Sequence, residues 1–199
     1  MPIATPSVRP TPSRRSLLLG LSALTVGLAG FSSSKVGAKE ATARTAPSVL
    51  NAYGTGWQAK GSGVLKFFGF KAYDATLWLT TSSNGQFSFE RPFALDIVYN
   101  TYIKASDINN TSLIEMSRIS GASQEQVKAW SAFMTGMFVD VKGDDRLIGV
   151  HLPGAGARFF FNGKPLGETN DPQFSEAFFK IWLDAKARKP ELRTALLGL

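Results

Sequence analysis

Between Lys71 and Leu79 polar and apolar residues alternate with a period of two. Lys71, Tyr73, Ala75, Leu77 and Leu79 fall on one side, and Ala72, Asp74, Thr76 and Trp78 on the other. That period predicts a strand. Phe93–Tyr102 repeats the pattern, with Phe93, Leu95, Ile97 and Tyr99 as its apolar face. The stretch Tyr53–Leu79 as a whole is rich in Gly, Phe, Tyr, Trp and Thr, which favours strands and turns over helix. The period then changes. Leu113, Met116 and Ile119 are spaced as a helical stripe that Ser106-Asp107 can cap, and Val127, Trp130, Met134 and Met137 share one face of a second helix. Ser123-x-x-Gln126 is a capping-box pattern that opens it.

Strand character returns after a turn at Lys142-Gly143-Asp144-Asp145. Arg146–Leu152 and Arg158–Phe161 read as strands, and Asn162-Gly163 is the strongest hairpin signal in the chain. A helix follows: Asp171 caps it, Pro172 takes its first position, and Phe174, Phe178, Ile181 and Ala185 line one side. Lys189-Pro190 breaks it, and Pro190–Leu197 begins a short last helix. Strands, two helices, strands and helices in that order predict an α+β domain with a mainly antiparallel sheet.

The first 43 residues are of a different kind. Ser13-Arg14-Arg15-Ser16-Leu17-Leu18 precedes an apolar run from Leu17 to about Gly30, too short for a membrane span of ~20 residues. Two arginines before a moderately apolar, Gly-containing run read as a twin-arginine signal peptide, which predicts a periplasmic or otherwise exported protein. An ordinary secretion signal with two adjacent arginines is the alternative. Small-residue cleavage sites end at Ala38 and Ala43, so residues 1–43 are assigned to the signal and 44–199 to one domain.

The signal also changes how the charge is read. Of 22 basic residues four lie in the first 38, which hold no acid, leaving 18 against 15 acidic residues. The mature domain is close to balanced, and no basic stripe interleaves with aromatics, so nucleic-acid binding is not expected. The absence of Cys removes thiol nucleophiles, disulfides and Cys-based metal sites, and a single His removes multi-His metal centres. No cofactor motif is present: Gly54-Thr55-Gly56 and Gly61-Ser62-Gly63 lack dinucleotide-binding spacing and read as turn or bulge glycines. Asp144-Asp145 reads as a solvated turn before a cation site. His151, among Val150, Leu152 and Pro153, reads as a structural histidine before a general base.

One constellation remains. Lys71 and Tyr73 share a strand face, and Tyr99 lies on the apolar face of another strand, with Phe70 and Trp78 nearby in the chain. A cation and phenols beside an apolar cleft suit a ligand with a greasy body and one anionic or carbonyl head. The bland alternative is two half-buried core tyrosines and a lysine reaching to solvent.

The run from Gly63 through Phe67-Phe68-Gly69-Phe70-Lys71 to Leu79 resembles the first strands of bacterial chalcone isomerase-like proteins. Phe161-Asn162-Gly163-Lys164-Pro165-Leu166-Gly167, then Phe178-Phe179-Lys180-Ile181-Trp182-Leu183 and Leu192-Arg193 with Leu196-Leu197-Gly198, resemble that family's closing hairpin and helices. The resemblance covers Ala46 to the end. It implies an open-faced β-sandwich, a curved antiparallel sheet with helices on one face and a ligand cleft between them. The plant enzymes position their substrate with an Arg on the early strand, a Thr on the next and a Tyr on a following helix. Here Gly61–Lys66 has no Arg, only Lys60 or Lys66 nearby; the Thr position falls at Tyr73; and Ile108 or Asn109 stands near the Tyr position. Each lost donor is worth ~10²–10³ in rate. The resemblance therefore implies a binding protein for a small apolar ligand such as a fatty acid, held by Lys71, Tyr73, Tyr99, Trp78 and Phe70. The alternatives are an isomerase or lyase acting on an enone- or flavonoid-like substrate, with Tyr73 as acid and Lys71 at the oxyanion, and a module that docks on another envelope protein.

Overall fold

Each alternating stretch forms a strand of one sheet. The computed structural model describes residues 44–67 and 69–199, so the signal assigned to residues 1–43 lies outside the described residues. Strands β1 (Gln58–Phe67), β2 (Phe70–Leu79), β3 (Phe93–Tyr99), β4 (Arg146–Leu152), β5 (Gly156–Phe161) and β6 (Lys164–Thr169) pair in chain order. Every pairing is antiparallel and the sheet stays open. Helices α1 (Ala105–Ser120) and α2 (Gln124–Met137) are inserted between β3 and β4, which are nonetheless direct neighbours. Helices α3 (Pro172–Leu183) and α4 (Pro190–Leu197) follow the sheet. No helix among the described residues is long and apolar enough to cross a membrane.

The strand period sorts residues onto two faces. Ala75, Leu77, Leu79, Phe93, Leu95, Ile97, Tyr99, Leu147, Ala157 and Phe159 pack with Met116 of α1, Trp130 and Met134 of α2, Phe174, Phe178 and Phe179 of α3, and Leu192 and Leu196 of α4. The helices thus cover one face. On the other, Trp78, Ala94, Ile148, Val150 and Phe160 form a smaller cluster closed by Leu50 and Trp57, from the segment that leads into β1.

Local signals act as expected at most element ends. Ser123 and Gln126 form both bonds of the capping box on α2. The Asp171 carboxylate accepts from the N–H groups of Gln173 and Phe174 at the start of α3. Asn162 and Gly163 take φ values of 49° and 79°, the left-handed pair that a two-residue hairpin turn requires.

Four expectations are corrected. Helix α1 starts at Ala105, and neither Ser106 nor Asp107 caps it: Asp140 accepts from the Ala105 N–H at 2.8 Å. The bridge between Ile103 and Val141 brings that distant carboxylate to the helix end. The buried line of α1 is Asn109, Ser112, Glu115 and Met116, with Leu113 and Ile119 only half-buried. Ala185 lies beyond the end of α3 and is exposed, because the helix stops at Leu183. Finally, Gly61 and Gly63 are not turn glycines: they sit within β1 under α4. A Cβ at Gly61 would stand 2.1 Å from the Ala195 carbonyl oxygen, and one at Gly63 2.7 Å from Leu192 Cδ1. Only a strand without side chains there lets α4 lie so close. The bulge reading holds in part, since the β1–β2 register shifts between Ala59 and Gly61.

Candidate functional site

The pairing of β2 with β3 sets Tyr73 directly opposite Tyr99 on the helix-covered face. Their rings meet edge to face at 5.9 Å. From α3, the Trp182 indole N–H donates to the Tyr73 hydroxyl oxygen at 2.7 Å. Leu65, Ile108, Leu113 and Trp182 pack around the same core. Burial pushes the Tyr73 phenol up to about 12, the Trp182 bond opposing it, and raises Tyr99 further, with Tyr73 adding to the rise. Both phenols are therefore neutral across the physiological range.

The hydrogen-bond inventory of this pair is incomplete. An indole N–H only donates, so Tyr73 accepts from Trp182 and its own O–H remains without an acceptor among the described residues. The Tyr99 hydroxyl makes no hydrogen bond there either, though its oxygen keeps some accessible surface. On α1 the Asn109 Oδ1 atom is buried and unpaired, in a residue only 6% exposed. Buried polar groups are normally paired, and exceptions mark places where a ligand or water completes the set.

The five residues singled out from the sequence do not line one cleft. Tyr73 and Tyr99 come together under the helices. Lys71 lies on the same strand face but is exposed, across the hairpin from Lys66. Phe70 is 79% exposed at the hairpin end. Trp78 is buried on the opposite face of the sheet, where its indole N–H donates to Asp96 at 3.2 Å. Strand parity separates Trp78 from Tyr73, as the alternation of β2 demands.

That opposite face holds a cavity of about 290 Å³ lined by Arg44, Asp74, Thr76, Trp78, Asp96 and Arg146, among others. Two of its charges, Arg146 and Asp96, pair with each other, while Arg44 and Asp74 bond the neutral side chains of Thr76 and Asn100. Arg146 grips buried Asp96 through Nε at 2.7 Å and Nη2 at 2.5 Å, and Arg44 donates to Thr76 Oγ1 at 2.6 Å. With Trp78 added, the buried Asp96 carboxylate accepts three hydrogen bonds, all from the protein's own groups. An acid inside the apolar run Phe93–Tyr99 was visible in the sequence as a charge in need of a partner, but Arg146 lies 50 positions away.

His151 is structural. Its Nε2–H donates to the Phe89 carbonyl at 2.8 Å, which leaves Nδ1 to accept from the Ser175 hydroxyl at 2.7 Å. The ring stacks on Phe93 at 4.7 Å, and burial lowers its pKa against the smaller raising effects of Phe89, Glu176 and Glu90. His151 and Ser175 are 3% and 0% exposed, so the pair ties α3 to β4 and meets no substrate. Among the described residues no cluster of His, Cys, Asp or Glu is arranged to hold a metal ion.

A family model described as chalcone isomerase-like matches residues 38–198. The chain belongs to the chalcone isomerase-like family. Among solved structures, a fatty-acid binding protein of Arabidopsis thaliana has a similar fold: TM-score 0.56 and 8% identity over 72% of this chain and 89% of that one. At that identity the likeness speaks for the fold alone. No curated protein matches the sequence. On α1 the buried polar residues are Asn109, Ser112 and Glu115, and of these the Asn109 Oδ1 atom is the one without a partner among the described residues. What sequence reasoning missed was Trp182, the partner of Tyr73. Nothing local marks it as one, since its side chain meets β2 from 109 positions away.

Proposed function

We propose that this chalcone isomerase-like protein is a non-catalytic binding protein for a small apolar ligand with one carboxyl or carbonyl head, such as a fatty acid. The observation that carries the reading is the Tyr73–Tyr99 pair: two neutral phenols, side by side, whose O–H groups lack acceptors among the described residues. Two such donors in an apolar core, with Leu65 directly across the hairpin from Tyr73, suit one oxygen-bearing head and an apolar body. The Arabidopsis protein of similar fold, described as fatty-acid binding, supports the same ligand class. Lys71, exposed at the hairpin, would meet an anionic head only at the mouth of the site.

The isomerase or lyase alternative asks Tyr73 to give up a proton near neutrality. A phenol raised to about 12 is a hydrogen-bond donor and a weak acid, which favours binding over turnover. The pair Arg14-Arg15 and the apolar run after it support export to the periplasm. Replacing both arginines by lysine is expected to leave the protein in the cytoplasm.

Native mass spectrometry of the protein as recovered from its cells tests the ligand. A retained apolar acid, lost at least tenfold in Tyr73→Phe while the fold persists, supports the proposal. An empty protein that also fails to take up added fatty acids overturns it.

A further inference from the structure

The β1–β2 hairpin ends in an aromatic tip backed by lysines. The sequence there reads Lys66-Phe67-Phe68-Gly69-Phe70-Lys71. Phe67 pairs with Phe70 across the hairpin, and Lys66 pairs with Lys71 one step behind. Phe67 is 64% and Phe70 79% exposed, and both lysines are exposed. Scattered surface aromatics are ordinary, but two exposed phenylalanines paired at one hairpin end form an apolar patch of the kind that marks a contact surface.

The charges say what kind of surface. Like charges directly opposite on neighbouring strands destabilise a hairpin, and among the described residues neither Lys66 nor Lys71 makes an ion pair. No acidic residue occurs between Glu40 and Asp74, so nothing in β1 or the start of β2 offsets them. The acids at this end of the sheet are Asp74 and, on the approach to β4 two strands from β2, Asp140, Asp144 and Asp145. Asp74 stands three residues along β2 from Lys71, on the opposite strand face, where Asn100 bonds it. Tyr102, 57% exposed, follows β3 at the same end, where Asn100 N–H donates to the Ala72 carbonyl.

We infer that the Phe67–Phe70 tip is a docking device for an anionic lipid surface. The tip is convex and open: a Cβ at Gly69 would meet nothing within 4 Å. It suits entry into a deformable apolar medium. Lysines one residue behind the phenylalanines stand ~3.3 Å back along the strand, at the level where amines reach phosphate head groups while aromatic rings sink into the acyl boundary. This inference does not rest on the ligand reading, and either can fail without the other.

Flotation with vesicles tests it, using phosphatidylcholine alone and phosphatidylcholine containing about one quarter phosphatidylglycerol. The protein is expected to float with the anionic vesicles, and Phe70→Ser to reduce that partitioning about tenfold or more. Lys66→Gln and Lys71→Gln should each reduce it about fivefold, on the anionic vesicles alone. A Phe70→Trp variant reads the tip itself, and its added emission should shift to the blue on anionic vesicles. Absence of that shift overturns the inference even where the protein floats, since another part of the chain then holds the membrane. Equal binding to both vesicle types overturns the anionic assignment, and failure to float with either overturns the docking itself. These positions are exposed, so unchanged circular dichroism is expected throughout.

Discussion

Trp182 and Tyr73 are 109 residues apart in sequence, yet the indole N–H of one lies 2.7 Å from the hydroxyl oxygen of the other. That bond fastens α3 to β2 and decides which way the Tyr73 O–H can point. Its indole cannot reverse the direction, so the phenol proton is directed elsewhere. The unpaired hydroxyl hydrogen is a consequence of packing between two elements and of the one-way chemistry of indole.

Removing the bond should cost stability and disturb the phenol. Trp182→Phe keeps an aromatic ring beside Phe178, which meets Trp182 at 5.4 Å, but deletes the donor. A loss of about 1 kcal/mol in urea unfolding is expected. Tyr73→Phe leaves the indole N–H without its acceptor and should cost a similar amount. The double variant should lose less than the sum of the two, as a double-mutant cycle would read.

On the other face the expected effect is asymmetric. Arg146→Leu strands the Asp96 carboxylate, whose side chain is 5% exposed, with only the Trp78 N–H as partner. Breaking a buried pair costs roughly 3–5 kcal/mol, and the 39% exposure of the Arg146 side chain places the loss at or below the lower end. Asp96→Asn keeps acceptor and shape and should be milder in the same melts.

The pH dependence of stability should carry the mark of His151. Burial lowers its pKa in the fold, so the unfolded chain takes up a proton first as pH falls. Stability is fully present above the unfolded pKa of about 6.5 and declines as pH drops from there toward the folded value. Thermal melts between neutral and mildly acid pH should show this decline. His151→Gln should flatten it while lowering Tm at neutral pH through the lost Phe89 and Ser175 bonds.

Gly61→Ala is expected to be among the costliest small substitutions in the sheet. The new methyl would press on the Ala195 and Leu196 carbonyl oxygens at 2.1 and 2.6 Å, and neither backbone atom can rotate away. Overpacking of this kind costs about 1–3 kcal/mol or more. Gly136→Ala, where nothing stands within 4 Å and the backbone is helical, is the control and should be neutral or stabilising in the same denaturant titration.

Local patterning was enough to set the elements and their faces. Alternation along Lys71–Leu79 and Phe93–Tyr99 put Tyr73 and Tyr99 on one side and Trp78 and Asp96 on the other, because successive side chains of a strand must point oppositely. Ser123-x-x-Gln126, Asp171-Pro172 and Asn162-Gly163 marked their turns and helix starts, because those signals act within four residues of the chain. The tertiary structure decided whatever depended on a distant partner. Asp140 rather than Ser106 caps α1, Gly61 and Gly63 make room for α4, Arg146 answers Asp96, and Trp182 orients Tyr73. The grouping of candidate residues belongs to the same class. Lys71, Phe70 and Trp78 are neighbours of Tyr73 along the chain, but the pleat and the hairpin end send them to three different surroundings. Periodicity assigns a face, and only the packing of elements against that face assigns a neighbour.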